Sequence, residues 1–415
     1  MLEIKSMRTI DRVVGNAACS VLALGKKLSK PFRRPTTTYR KIAVMKFFGM
    51  GSIVVASPSL VALRDQFPGA EIHFVTFKSN RDVVQLIGLT DKQHYIDNSS
   101  AGAFAASTLK VARDLRREGI DLVIDLEFYA KFPLVLAGIA SAKKNAGFYL
   151  NPEPWRRDLL DVPGWYNHYF HTKDIFLSLI YVLAKDDMYY LDFAEFSKKY
   201  QYPKITPAPA DVARVREKLA ARGFKGRGRL FVINPNTSPD LAPEARKWPS
   251  DRYGELARTL LSEYPDAQIA FTGTKSEARY VDAVVASAHD ARAFSVAGDL
   301  NLRELVALFS ITDLLVSNDS GPMHLACLVD APTVGLFFAD TPTLFAPIGT
   351  NVASVAPPLY SMPLFTVYNG KDVVVGRPDD VVRNIAACQV SVEDVMPHAR
   401  KVVSPIPRAG VAATN

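Results

Sequence analysis

Short runs rich in β-branched and aromatic residues alternate twice along this chain with segments of helical period, and no other feature constrains its fold more. From Lys41 onward the runs at 42–48, 71–77, 94–97 and 122–128 read as strands, separated by helical stretches such as 54–67 and 103–118. Alternation of this kind predicts a parallel sheet covered by helices, since parallel neighbours need a long crossover. A second series follows, with strands at 230–234, 268–273, 293–296, 313–317 and 333–338 and helices at 251–264 and 302–310. Between the two, residues 198–209 carry Pro203, Pro207 and Pro209 and few large aliphatics, which reads as a linker. The expected organisation is a leader at 1–40, a first α/β domain at 41–205, a second at 206–390, and a terminal helix with a disordered tail at 391–415. Residues 144–195 are harder to assign: two Trp and several Tyr and Phe are interrupted by Pro152, Pro154 and Pro163, ahead of an apolar helix near 174–183.

With 415 residues, 48% of them hydrophobic and 22% charged, the chain can bury two cores. Its net charge of +8 belongs to the leader, because residues 1–41 hold ten Lys and Arg against only Glu3 and Asp11. There Ile10, Val13, Val14, Ala17, Val21, Leu24 and Leu28 recur at helical spacing, followed by Lys26, Lys27, Lys30, Arg33 and Arg34. The apolar stretch is too short to span a bilayer. Contact with an anionic membrane surface through residues 1–41 and a solvated basic arm both fit. Nucleic-acid binding is disfavoured, since only Phe32 and Tyr39 interleave the basic run. Cys19, Cys327 and Cys388 lack metal-ligand spacing, so neither a disulfide framework nor a zinc site is expected. A reducing, cytoplasmic setting follows, with the inner face of the cytoplasmic membrane as the place of any peripheral attachment.

The segment Ser317-Asn-Asp-Ser-Gly-Pro-Met-His324 joins an apolar strand to a helix at 321–329. Such a junction aims backbone N–H groups and the helix dipole at a ligand over the strand end, and His324 sits one turn in. A plain N-cap at Asp319 or Ser320 is the structural alternative. Asp319, Ser320, Gly321, His324, Ala326, Pro332 and Phe337 together resemble the donor-diphosphate motif of glycosyltransferase family 9, the heptosyltransferase-like enzymes.

Three further stretches of the second series resemble the same family. Val232-Ile-Asn-Pro-Asn-Thr237 and Arg246-Lys247-Trp248-Pro249 match a strand end and a Lys-Arg-Trp-Pro motif, with the order of the basic pair exchanged. The resemblance implies that Thr237, Arg246 and Lys247 approach the donor phosphates, and Arg can grip a diphosphate with two prongs where Lys is a point charge. A solvated pair and a core Trp are the alternatives. In Thr272-Gly-Thr-Lys-Ser-Glu277 the resemblance implies ribose recognition by Glu277, and a capping box with Thr274 or Ser276 is the alternative. Asn301 is expected to cap a helix.

In the first domain Gly49-Met-Gly-Ser52 follows the first strand and is similar to the family's Gly-x-Gly-Asp, but Ser52 stands where heptosyltransferases place an Asp base. A dinucleotide fingerprint is excluded, because Val54 occupies the third glycine position. A replacement base could come from Glu127 at the end of the fourth strand, where ligands of open α/β sheets bind. The alternatives are pairing with Lys131 or a capping role for Glu127, and His168 and His171 stand in reserve.

Taken together the resemblance implies a GT-B fold, two Rossmann-like doubly wound domains facing a cleft, with the last helix broken at Pro397 and folded back on the first domain. It implies a metal-independent, inverting transferase that needs no cofactor and moves a sugar, heptose for instance, from a nucleotide-diphosphate donor to a glycan or lipid-linked glycan of the envelope. A nucleotide-sugar-binding protein that lost its base at Ser52, and an epimerase of the same shape, are the other readings.

Overall fold

The computed structural model describes residues 4–29, 38–128, 130–149, 158–237, 246–338, 340–357, 387–405, 407 and 408. The chain divides into two compact units, the first running to Pro203 and the second beginning at Lys204.

Unit 1 holds a six-stranded parallel sheet in the order β3-β2-β1-β4-β5-β6. Its strands are β1 (Lys41–Met45), β2 (Glu71–Phe77), β3 (Lys92–Ile96), β4 (Leu122–Asp125), β5 (Lys144–Tyr149) and β6 (Val162–Trp165). The leader forms helix α1 (Ile4–Ser29), and α2 (Met50–Gln66), α3 (Arg81–Ile87), α4 (Ala101–Glu118), α5 (Phe132–Ile139), α6 (Thr172–Lys185) and α7 (Phe193–Lys199) complete the unit. Four strands follow the expected runs, with no end moved by more than three residues and β2 matching at both ends. β5 and β6 were not apparent in the sequence, for a physical reason in each case. In β5, Gly147 packs so closely that a Cβ there would lie 3.0 Å from Leu160 and 3.3 Å from Asp125, so the core selects a residue with no strand propensity. β6 contains Pro163 and is an edge strand, where a missing N–H is tolerated.

Unit 2 repeats the winding, with the order β12-β11-β10-β7-β8-β9 and every pairing parallel. These strands are β7 (Leu230–Asn234), β8 (Gln268–Phe271), β9 (Ala293–Ser295), β10 (Leu314–Asn318), β11 (Thr333–Leu336) and β12 (Val352–Val355). They are accompanied by α8 (Pro209–Ala221), α9 (Ser250–Glu263), α10 (Ala278–Ser287), α11 (Leu302–Ser310), α12 (Gly321–Cys327), α13 (Pro342–Phe345) and α14 (Val392–Val402). Asn301 caps α11 as expected, in a reciprocal box with Glu304.

The last helix departs from expectation. α14 runs unbroken through Pro397 and belongs to unit 2, not to the first domain: Val392, Val395, Met396, Ala399 and Val402 enter the core that contains Phe231, Trp248 and Leu336. An apolar face at helical spacing finds its partner on the nearest sheet. The expected disorder beyond this helix concerns 403–415, of which 406 and 409–415 lie outside the described residues. Ser404 N, by contrast, donates to the carbonyl of Asp313 at 3.0 Å.

Candidate active site

In unit 2 the winding reverses between β7 and β10, so the chains leaving these strands diverge and open a crevice at their C-terminal ends. Asn234, the last residue of β7, spans that crevice. Its Nδ2 donates to Ser317 Oγ and to Ser320 Oγ, each at 3.1 Å. Asn236 donates through Nδ2 to the carbonyl of Thr272 at 2.9 Å, which ties the end of β8 to the same floor. Gly273 keeps this approach open, because a Cβ there would stand 2.8 Å from Asn236 Nδ2. Thr237 is buried beside them.

Asp319 and Ser320 follow β10, and neither side chain caps α12. The Ser320 hydroxyl is turned to Asn234 and Ser317. The Asp319 carboxylate takes Arg246 Nη2 at 2.9 Å, and His324 Nε2 lies 3.6 Å from its other oxygen. Arg246 Nη2 also donates to the Asp319 carbonyl at 2.6 Å. Burial alone would raise the Asp319 pKa, but the charges of Arg246 and His324 outweigh it and hold the group below the usual carboxylate range. With one terminal nitrogen committed in this way, Arg246 does not have its whole fork available for a two-pronged grip on a ligand.

A fourth member of the cluster, Asp340, lies four residues past the end of β11. Burial, reinforced by the charge of Asp319, pushes its carboxyl up to about 7, although Arg246 pulls the other way. Asp340 was not a sequence candidate. The signal that could have found it is its place as the first carboxylate after the strand that pairs with β10, with Asn318 opposite Leu336. Arg246, Asp319, His324 and Asp340 are all buried. Among the described residues Asn236 Oδ1, Arg246 Nε, His324 Nδ1 and Asp340 Oδ1 are buried without a hydrogen-bond partner.

The remaining candidates of unit 2 make contacts of their own. Lys247 Nζ lies over the Tyr280 ring at 4.7 Å from its centroid. Trp248 is a core residue, its Nε1 donating to the carbonyl of Val390 at 2.9 Å and its ring edge-on to Tyr253. Glu277 closes a capping box, accepting through Oε2 from Thr274 N and Thr274 Oγ1, both at 2.8 Å. Its Oε1 makes no bond among the described residues. One group of side chains among those described could hold a metal ion, Glu71, His73 and Glu118. It lies in unit 1 around the N-terminal end of β2, and both its carboxylates pair with Lys41 and Lys92.

In unit 1 the corresponding reversal falls between β1 and β4, and Glu127 stands there. Its Oε1 accepts from Lys46 Nζ at 2.8 Å, Phe47 N at 2.7 Å and Phe48 N at 3.0 Å. Lys46 is thus a partner of Glu127, brought alongside by the register of β1 on β4. These bonds fix the turn leading to Gly49, whose φ of 81° suits a residue without Cβ. Ser52 occupies the first turn of α2, and a Cβ at Gly49 would lie 3.1 Å from Ser52 Oγ. His171 caps α6, its Nδ1 accepting from Lys173 N at 3.0 Å, while the His168 ring lies tilted against Tyr169 with centroids 4.4 Å apart.

Residues 108–369 match the family model described as glycosyltransferase family 9 (heptosyltransferase). Over 325 residues the chain is 22% identical to lipopolysaccharide heptosyltransferase 1 of Campylobacter coli, covering 76% of this chain and 88% of the relative. Among solved structures, the E. coli ADP-heptose LPS heptosyltransferase II superposes with a TM-score of 0.65 at 16% identity, over 87% of this chain and 98% of that one. The family 9 glycosyl transferase of Veillonella parvula DSM 2008 gives 0.69 at 18% identity, over 89% and 98%. At such identities the likeness establishes the fold, that of the GT-B enzymes.

Proposed function

Because the chain belongs to glycosyltransferase family 9, it is a glycosyltransferase, and we propose that it moves heptose from a nucleoside-diphosphate donor to a hydroxyl of a lipopolysaccharide-type glycan. One observation carries the donor half of this reading: the four unpartnered atoms of Asn236, Arg246, His324 and Asp340 gathered by the β7, β10 and β11 ends. A buried polar atom left unsatisfied costs about 1–3 kcal/mol. Arg246 Nε needs an acceptor, whereas Asn236 Oδ1 needs a donor. A sugar diphosphate supplies both, through phosphate oxygens and hydroxyls.

In the proposed reaction the acceptor oxygen attacks the anomeric carbon while the bond from that carbon to the diphosphate oxygen breaks. The diphosphate departs with the bonding electrons, and the acceptor proton passes to a base. A single displacement of this kind inverts the anomeric centre. The charge on the leaving group is met by Arg246 and Lys247, with His324 and the amides after Ser320 close by, and this is what supports a metal-independent reading. Glu277 Oε1 is proposed to receive the ribose hydroxyls.

The proposed base is Glu127, since it occupies the switch point of unit 1. Its bonds to Lys46, Phe47 and Phe48 give it a second task, orienting the loop that carries Gly49 and Ser52. Cys19, Cys327 and Cys388, none of them in a disulfide, suit the cytoplasm as the site of the reaction.

A second reading rests on Ser52 alone: a nucleotide-sugar-binding protein that no longer transfers. Calorimetric titration with nucleoside diphosphates tests the donor half directly. Tight binding by the wild type, weakened by about 1.5–3 kcal/mol in His324→Ala, is expected from the loss of one charge-assisted contact. Equal affinity in both proteins would refute the assignment.

A further inference from the structure

Helix α1 attaches to unit 1 by one face and leaves its Val/Leu stripe on another. Asp11 accepts from the backbone of Lys131 at 3.0 Å and of Phe132 at 2.8 Å, and so caps α5 from outside. Gly15 packs on the Lys131 side chain, Cys19 is fully buried with Leu134 and Leu159, and Leu22 enters the notch left by Gly138. Lys26 Nζ donates to the carbonyl of Leu159 at 2.7 Å and pairs with Asp161 at 2.9 Å. Positions 11, 15, 19, 22 and 26 thus form one stripe at helical spacing, closed by polar bonds at both ends.

The apolar stripe lies elsewhere. At 3.6 residues per turn, Val13, Val14, Ala17, Val21, Leu24 and Leu28 centre about 150° around the helix from the docked positions and extend over roughly 22 Å. The structure leaves them in solvent: Val13, Val14, Val21, Leu24 and Leu28 are 60–71% exposed. Fully burying one such side chain contributes about 1.5–3 kcal/mol, so a row of five turned outward on an anchored helix is a surface built for a partner.

We propose that this partner is an anionic phospholipid bilayer, in which α1 lies flat with its Val/Leu stripe in the interface. Charge complementarity selects the occupant, because residues 1–41 carry ten Lys and Arg against two carboxylates and Lys27 flanks the stripe in an exposed position. Among the described residues no helix is long and apolar enough to cross a membrane, which agrees with a helix lying in the plane. The docked face makes α1 a rigid part of unit 1, so the bilayer holds this domain at a fixed orientation. The inference is independent of the transferase reading.

The test is co-sedimentation of the full chain with phosphatidylcholine vesicles containing about a third phosphatidylglycerol, against vesicles of phosphatidylcholine alone. The wild type should sediment with the anionic vesicles and be released by added salt. Val21→Asp/Leu24→Asp, both changes on the exposed stripe, should weaken binding by at least about tenfold while circular dichroism and melting temperature stay unchanged. Binding equal to wild type in that variant, or no binding by the wild type at low salt, would overturn the proposal. A concentration-dependent dimer that the double variant abolishes would overturn it too, and would assign the stripe to a second copy of the chain.

Discussion

Arg246 donates twice through Nη2 to Asp319, at 2.6 Å to its carbonyl oxygen and at 2.9 Å to its carboxylate. This couples the segment after β7 to the strand end of β10 and places a positive charge in a buried site without leaving it unpaired. Removing one partner of such a pair costs about 3–5 kcal/mol, because the other is then buried and uncompensated. Arg246→Ala should lose stability of that order in urea denaturation. Arg246→Lys keeps the charge but not both bonds, so it should lose about 1–2 kcal/mol and bind nucleoside diphosphate about tenfold more weakly by calorimetry.

Asp340 sets a second prediction. Its carboxyl is raised from 3.8 to about 7, so the folded protein retains a proton there that the unfolded chain has released. The associated stability is fully present below pH 4 and is lost as pH rises towards 7. Asp340→Asn removes this dependence, and its thermal stability should gain on the wild type between pH 4 and pH 7, by a difference of roughly 2–4 kcal/mol. Asp319 acts in the opposite sense and lower down: its depressed carboxyl favours the fold above its unfolded value and ceases to do so as pH falls further. Parallel melting curves for the two proteins across this range would contradict the placement of Asp340.

The contrast between Asp319 and Asp340 marks what could be read from the sequence. Asp319, Ser320, Gly321 and His324 lie within six residues of one strand-to-helix junction, so a local pattern announces them. Asp340 joins them only through the pairing of β10 with β11, and nothing local distinguishes it. Glu127 was assigned to its strand end, but its partner Lys46 is 81 positions away and is supplied by the register of β1 on β4. The two sheets were legible wherever strands were rich in Val, Ile and Phe. β5, with its Gly147, and β12, a four-residue edge strand, were not, because packing and position decide them more than propensity does.

Glu127 carries the third prediction. As the base, it should tolerate Glu127→Gln in donor binding but lose about 10²–10⁴-fold in turnover, with Ser52→Ala nearly neutral. The same change weakens the ion pair with Lys46, so melting temperature must be recorded alongside. Turnover reduced in proportion to folded protein alone would leave Glu127 as the anchor of the 46–52 loop and return His168 and His171 to consideration.

The most direct measurement supplies a nucleoside-diphosphate heptose together with a heptose-accepting lipopolysaccharide core, and follows acceptor mass and free nucleoside diphosphate in the same reaction. Both should rise in equal amounts, the new linkage should have inverted anomeric configuration, and His324→Ala should slow both. A wild-type protein that binds the nucleotide yet releases none and leaves the acceptor mass unchanged would contradict the proposed transfer.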